Sequence, residues 1–190
     1  MATSDVGICN LALAHLGETS ITGLTEGSAA SNACNSMYDF IRRATLRKGT
    51  WNFATRTAAL SLLDETAVDY TYVYSVPTKY LRAIGLHPVD SKKFFTMRGR
   101  KIYTNEAEAI LEYIEDVTDP NLFDDVFTLA LSFRLASALA IQITGNAQNA
   151  MAMLQQYEIV MAEAEAVDAD EDHTDKLSQL GQGLLESRVY

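Results

Sequence analysis

DPNLFDDVFTLALSFRLASALAIQITGN, residues 119–146, is the stretch around which the rest of the chain is organised. Asp119-Pro120-Asn121 offers a cap and a proline tolerated in a first helical turn, and Asp124 and Asp125 place negative charge where a helix N-terminus favours it. From Val126 to Ile143 the run is apolar on every face except at Thr128, Ser132, Arg134, Ser137 and Gln142. Gly145-Asn146 closes it with residues that readily take a left-handed terminus. Such a helix is roughly 35 Å long at about 1.5 Å per residue. A helix apolar all round is expected to be covered on all sides, in a core or between subunits. Arg134 near its centre, with the hydroxyls and the amide, argues against a membrane span.

Working outward, 190 residues suffice for one domain, or for a core with one insertion. The 48% hydrophobic content and nine tyrosines argue against disorder. The net charge of -10 is local: Glu158, Glu163, Glu165, Asp168, Asp170, Glu171, Asp172 and Asp175 lie together, with no Lys or Arg between Arg134 and Lys176. Of 25 acidic residues, 17 then remain against 15 basic ones, so the rest is nearly neutral. Tight nucleic-acid binding needs clustered cations, which this balance does not supply. Cys9 and Cys34, distant in sequence, imply neither a zinc site nor a disulfide framework, and read as reduced core residues. No basic region precedes an apolar run at the N-terminus, so no signal peptide is expected.

The preceding chain divides in two. Val6, Cys9, Leu13 and Leu16 share one face of a first helix ending at Gly17, and a second helix runs to about Lys48, finishing in Arg42, Arg43, Arg47 and Lys48. Trp51 and Phe53 follow as core anchors. From Arg56 to Asp116 short aromatic and β-branched runs alternate with turn residues. Tyr70, Tyr72 and Tyr74 alternate with Thr71, Val73 and Ser75, the period of a strand with one buried face. Arg98-Gly99-Arg100 reads as a hairpin tip. After the long helix, Asn146 caps another, antiparallel to it across a short turn. The expected class is therefore α+β, mainly α. A bundle of about four helices (residues 1–55 and 117–168) carries an inserted antiparallel β region (56–116), then an acidic linker and extended tail (169–190).

No catalytic constellation stands out: there is no G-x-S-x-G, H-E-x-x-H, P-loop or G-x-G-x-x-G, and the three histidines are scattered. Neither a catalytic group, a metal site nor a cofactor is expected. Asp170 to Asp175 lacks the spacing of a calcium loop. Two basic clusters remain, Arg42, Arg43, Arg47 and Lys48, and Lys92, Lys93, Arg98, Arg100 and Lys101 with Phe94 and Phe95 between. Aromatic-plus-basic strands can bind single-stranded nucleic acid, but hairpin tips are ordinarily charged for solubility and to block edge pairing, and that reading, or an acidic protein partner, fits better.

Taken in order, several segments resemble the head-to-tail adaptor family of short-tailed bacteriophages, usually called tail tubular protein A. They are CNLALAHLGETSITGLTEGSAASNAC (9–34), then Tyr38, Arg42 and Leu46, WNFA (51–54), YVYSVP (72–77) with Leu81, Arg82 and Ile84, and YIEDVTDPNLFDDVFTLALSFRLASALAIQITGN (113–146). Thr78-Lys79 departs from the family, which more often has an acidic residue there. The resemblance implies a structural virion protein at the head–tail junction, assembled in the host cytoplasm. It implies a dodecameric ring of this chain between the portal protein and the tubular tail nozzle, with double-stranded DNA passing through its lumen and no membrane involved. On that reading Leu177, Leu180, Leu184, Leu185 and Tyr190 dock the tail on the portal. Arg42, Arg43, Arg47, Arg134, Lys93, Arg98 and Arg100 make contacts between copies or partners. Asp168, Asp170, Glu171 and Asp172 face the channel and repel phosphates. The alternative class is a virion-associated hydrolase of cell-wall or surface polysaccharide, which would need two carboxylates facing each other across a cleft.

Overall fold

The computed structural model describes residues 4–87 and 94–164. Among these, four α-helices are found: α1 (Asp5–His15), α2 (Ala29–Lys48), α3 (Asp125–Thr144) and α4 (147–164). Seven strands lie between α2 and α3: β1 (Thr55–Ala59), β2 (Ser61–Leu62), β3 (Tyr72–Ser75), β4 (Tyr80–Leu86), β5 (Phe95–Arg98), β6 (Lys101–Thr104) and β7 (Ile110–Glu115). The described residues separate into two compact units, one of residue 4 with those of 39–124, the other of 5–38 and 125–164, so the division falls within α2.

In the helical unit, α3 is the axis. Phe127, Leu131, Leu135 and Leu139 are fully buried, and Ala130, Ala136 and Ala140 are small enough to let neighbours approach closely. Each large side chain buried there contributes about 1.5–3 kcal/mol relative to exposure. α1 packs on α3 and ends at Gly17 (φ 75°), where the Glu18 N–H reaches back to the Leu13 carbonyl at 3.0 Å. α3 also ends at a left-handed glycine, Gly145 (φ 66°), whose own N–H donates to the Ile141 carbonyl at 3.1 Å. Asn146 Oδ1 then accepts from the Gln148 N–H at 2.9 Å and caps α4. Ser137 Oγ donates to the Ala150 carbonyl, and Arg134 lies over the Tyr157 ring, a pairing order that makes α3 and α4 antiparallel.

The start of α3 differs from the sequence expectation. Asp119 does not cap the long helix: its carboxylate accepts from the Asn121 N–H at 3.0 Å and opens a separate 3-10 turn, Pro120–Leu122. Phe123 is extended (φ -73°, ψ 137°), and α3 begins at Asp125. Proline suits the first turn of either helix type, so the sequence signal was for a helical start and not for its length.

The sheet unit is a two-sheet stack. β1-β7-β4 form one antiparallel sheet and β2-β3-β6-β5 the other. Leu60 is the corner at which the chain leaves one sheet for the other. Tyr74, Ile102, Leu86, Leu111 and Tyr113 meet in a core of their own. Val73 is 1% exposed although it alternates with buried Tyr74, so β3 is covered on both faces and not on one. Its neighbour across β6 is Tyr103, whose ring lies against Tyr70.

The expectation of a mainly helical bundle with an inserted β region is therefore corrected. The protein is a mixed α+β fold in which two sheets build a core as independent as that of the helices. The C-terminal half of α2, Trp51 and the stretch from 117 to 124 belong to the sheet unit. The physical reason is that strands of two to seven residues each carry a weak apolar signal, whereas their summed inner faces fill a core. The expected extended tail, 169–190, lies outside the described residues.

Candidate interaction surfaces

The basic end of α2 faces the sheet unit's own backbone. Arg42 is 3% exposed, with its guanidinium 2.6 Å from an Asp116 carboxylate oxygen, 2.6 Å from the Val117 carbonyl and 3.4 Å from Asp39. Arg43, exposed, reaches the other Asp116 oxygen at 3.3 Å. Arg47 donates to the Leu81 carbonyl, and Arg82 returns the link by donating to the Gly49 carbonyl at 2.8 Å. A rigid guanidinium fork suits this work, satisfying carbonyls at the start of β4 and after β7. Arg42, Arg43 and Arg47 thus all make contacts within the chain, and of these three only Arg43 and Arg47 keep exposed surface.

At the β5–β6 tip, Gly99 (φ 62°) makes the turn that lets Arg98 pair with Lys101 across the hairpin. Arg98 lies over the Tyr103 ring at 5.2 Å, and Arg100 donates to the Pro77 carbonyl at 2.9 Å. Both arginines are exposed. Lys93 lies outside the described residues, as do Leu177, Leu180, Leu184, Leu185 and Tyr190 and the acidic Asp168, Asp170, Glu171 and Asp172.

Arg134, half-buried on α3, sits 5.8 Å from the Tyr157 ring centre and so helps to hold α4. The helical unit leaves large apolar side chains in solvent. Val126, Leu129 and Ile141 on α3, Leu11 on α1, and Met151, Leu154 and Ile159 on α4 are all exposed, Ile141 by 62% and Met151 by 66%. By length and composition α3 could cross a membrane, with mean hydropathy 1.7 and 44% of the window buried. Small soluble domains seldom expose so much aliphatic surface on two adjoining helices without using it.

Three further arrangements join residues that sequence reading left apart. His15 stacks on Phe133, ring centres 4.2 Å apart, and its Nε2 lies 3.0 Å from Ser132 Oγ. The serine hydroxyl donates to the Leu129 carbonyl at 2.8 Å, which leaves the imidazole N–H to donate to the hydroxyl oxygen. Ser132 is fully buried, and its hydroxyl proton is engaged by the Leu129 carbonyl. Burial holds the His15 pKa below its ordinary 6.5.

Between α1 and α2, Glu26 accepts from the Thr22 N–H, the Thr22 hydroxyl and the Ser28 hydroxyl at 2.6–2.7 Å. These bonds, that from the Thr22 hydroxyl foremost, lower its pKa to about 2. Glu26 and Glu18, with Ser28 and Gln142, line a recess of about 420 Å³. The hydrogen-bonding capacity of Glu26 is turned inward, on the loop itself. Cys9 and Cys34, the third arrangement, are fully buried free thiols, and each shifts the other's ionisation, raising the Cys9 pKa and lowering that of Cys34. Among the described residues no cluster of three His, Cys, Asp or Glu is placed to hold a metal ion. No protein-family model matches this chain, and no curated protein matches it.

Proposed function

We propose that this chain is a structural, non-enzymatic adaptor, copies of which close into a dodecameric ring that joins a phage portal to the tubular tail nozzle and encloses the path of the ejected DNA. The observation that carries this reading is the aliphatic surface of the helical unit. A helix as apolar as α3, flanked by α4, leaves Val126, Leu129, Ile141, Met151, Leu154 and Ile159 uncovered in one copy. A second copy covering that surface would recover about 25 cal/mol for each Å² of apolar area removed from water, the same driving force that buries the rest of α3. The resemblance of residues 9–34, 51–54, 72–77 and 113–146 to the adaptor family supports the ring geometry and the identity of the partners.

In this arrangement Arg43, Arg98 and Arg100 keep exposed charge for acidic partners, while Leu177, Leu180, Leu184, Leu185 and Tyr190 dock on the portal. Asp168, Asp170, Glu171 and Asp172 face the lumen, where like charge keeps DNA phosphates from sticking. The test is to mix the purified chain with rings of its cognate portal and image the product by electron microscopy. A second ring stacked coaxially on the portal is expected, and deletion of residues 175–190 should weaken its attachment. Portal rings that stay bare at saturating chain would overturn the proposal.

A further inference from the structure

We infer that copies of this chain meet head to tail through the hairpin tip Arg98-Gly99-Arg100 of one copy, seated in the recess that the α1–α2 loop and the end of α3 form in the next. The inference rests on the adaptor reading and names the surfaces through which its ring would close.

Charge is divided unequally between the two units. Of the 15 Lys and Arg residues, 12 fall within 39–124, the span of the sheet unit. Residues 5–38 and 125–164, the helical unit, carry six carboxylates and a single Lys or Arg, Arg134, which is engaged with the Tyr157 ring. A ring of identical copies is built from a heterologous contact, in which one surface of each copy meets a different surface of the next. Unlike charges on two surfaces of one chain suit such a contact, and they oppose pairing of either surface with itself.

The recess has the chemistry of an arginine site. It measures about 420 Å³ and is lined wholly by residues of the helical unit. Ile21, Ala29, Ala30 and Ile143 supply apolar walls, and Glu18 and Glu26 supply carboxylates. Hydrogen bonds from Thr22 and Ser28 hold Glu26 ionised, and its charge offsets the positive end of α2, which starts at Ala29. Glu18 is exposed. α3 reaches the recess at Gln142 and Ile143, and its last turn has no basic residue, so the negative end of that helix adds to the field. An arginine can lay its methylene stem on the apolar walls while its planar guanidinium meets carboxylates and carbonyls.

The tip carries two such side chains on a narrow turn made by Gly99 (φ 62°). Both arginines are exposed. Arg98 lies over the Tyr103 ring, and Arg100 donates to the Pro77 and Thr78 carbonyls, so neither is neutralised by a carboxylate among the described residues. Lys101 beside them differs, being paired with Glu65 at 2.6 Å. The arginines therefore keep a positive charge that a second copy can use.

The test uses the full chain and two variants, Glu18→Arg and the double change Arg98→Glu with Arg100→Glu. Circular dichroism melts establish that each is folded. Light scattering follows assembly over a concentration series, with portal rings added should the wild type need them. Each variant alone should need at least tenfold more protein than wild type to assemble. An equimolar mixture of the two should assemble near the wild-type concentration. In the mixture the altered recess of one variant meets the altered tip of the other, and the unaltered recess meets the unaltered tip. Wild-type assembly should also weaken severalfold between about 50 mM and about 500 mM NaCl, as the Debye length shortens, a reading that needs no variant. Variants that assemble like wild type, a mixture no better than its parts, indifference to salt, or variant rings that form normally but no longer hold the portal would each overturn this contact and leave the ring itself standing. A wild type that stays a single chain under every condition would overturn both.

Discussion

Arg42 and Asp116, 74 positions apart in sequence, meet at 2.6 Å with the arginine almost wholly out of solvent. This contact ties the C-terminal half of α2 to the chain leaving β7, and the Val117 carbonyl beside it accepts from the same nitrogen. Removing one partner of a buried pair leaves an uncompensated charge, which costs far more than the pair contributes in net stability. Asp116→Asn should destabilise the protein by about 3 kcal/mol in urea unfolding at pH 7. A loss below about 1 kcal/mol, the range of a surface pair, would show that Arg42 is solvated in solution.

Gly49 follows α2 at a point of close approach. A Cβ built there would stand 2.6 Å from Trp51 Cε2, inside any real carbon contact. The indole cannot yield readily, because it is buried and its Nε1 donates to the Thr45 carbonyl at 3.2 Å. Gly49→Ala should therefore cost about 1–3 kcal/mol, the usual penalty of overpacking. Trp51 is the only tryptophan, so its emission reports the same event. An unshifted spectrum with unchanged stability would contradict the packing described.

His15 sets a pH dependence of definite sign. Its folded pKa is lowered by burial from 6.5, so the unfolded chain takes up the proton first. Its contribution is complete above about pH 6.5 and is lost as the pH falls from there through the lower folded value. The melting midpoint should drop between pH 7 and pH 5, and His15→Gln should flatten that part of the profile. A wild-type midpoint that rises on acidification, with a variant that follows it, would reverse the assignment.

Parts of this arrangement were legible in the sequence for local reasons. Gly145-Asn146 ends one helix and caps the next, and Arg98-Gly99-Arg100 turns a hairpin, because turn and cap chemistry is decided by a few adjacent residues. The sheet unit was underestimated because nothing in Thr55–Ala59, Thr-Arg-Thr-Ala-Ala, announces a strand. It is one by virtue of pairing with Ile110–Ile114, more than fifty residues on. The basic cluster at the end of α2 looked like a surface offered to partners, because the carbonyls of Leu81 and Val117 that occupy it are invisible in a sequence.

The exposed aliphatic surface of the helical unit leads to the most direct measurement. Ile141 lies in solvent on α3, so Ile141→Asp should leave the stability of a single copy within about 0.5 kcal/mol, as surface changes usually do. The mass of the purified protein by light scattering, across a hundredfold range of concentration, is then compared for wild type and variant. The adaptor account requires wild-type particles of ring mass, formed alone or on addition of portal, and Ile141→Asp protein that remains a folded single chain under both conditions. A wild-type chain that stays monomeric at the highest concentration and with portal present, or an Ile141→Asp variant that assembles like wild type, would contradict it.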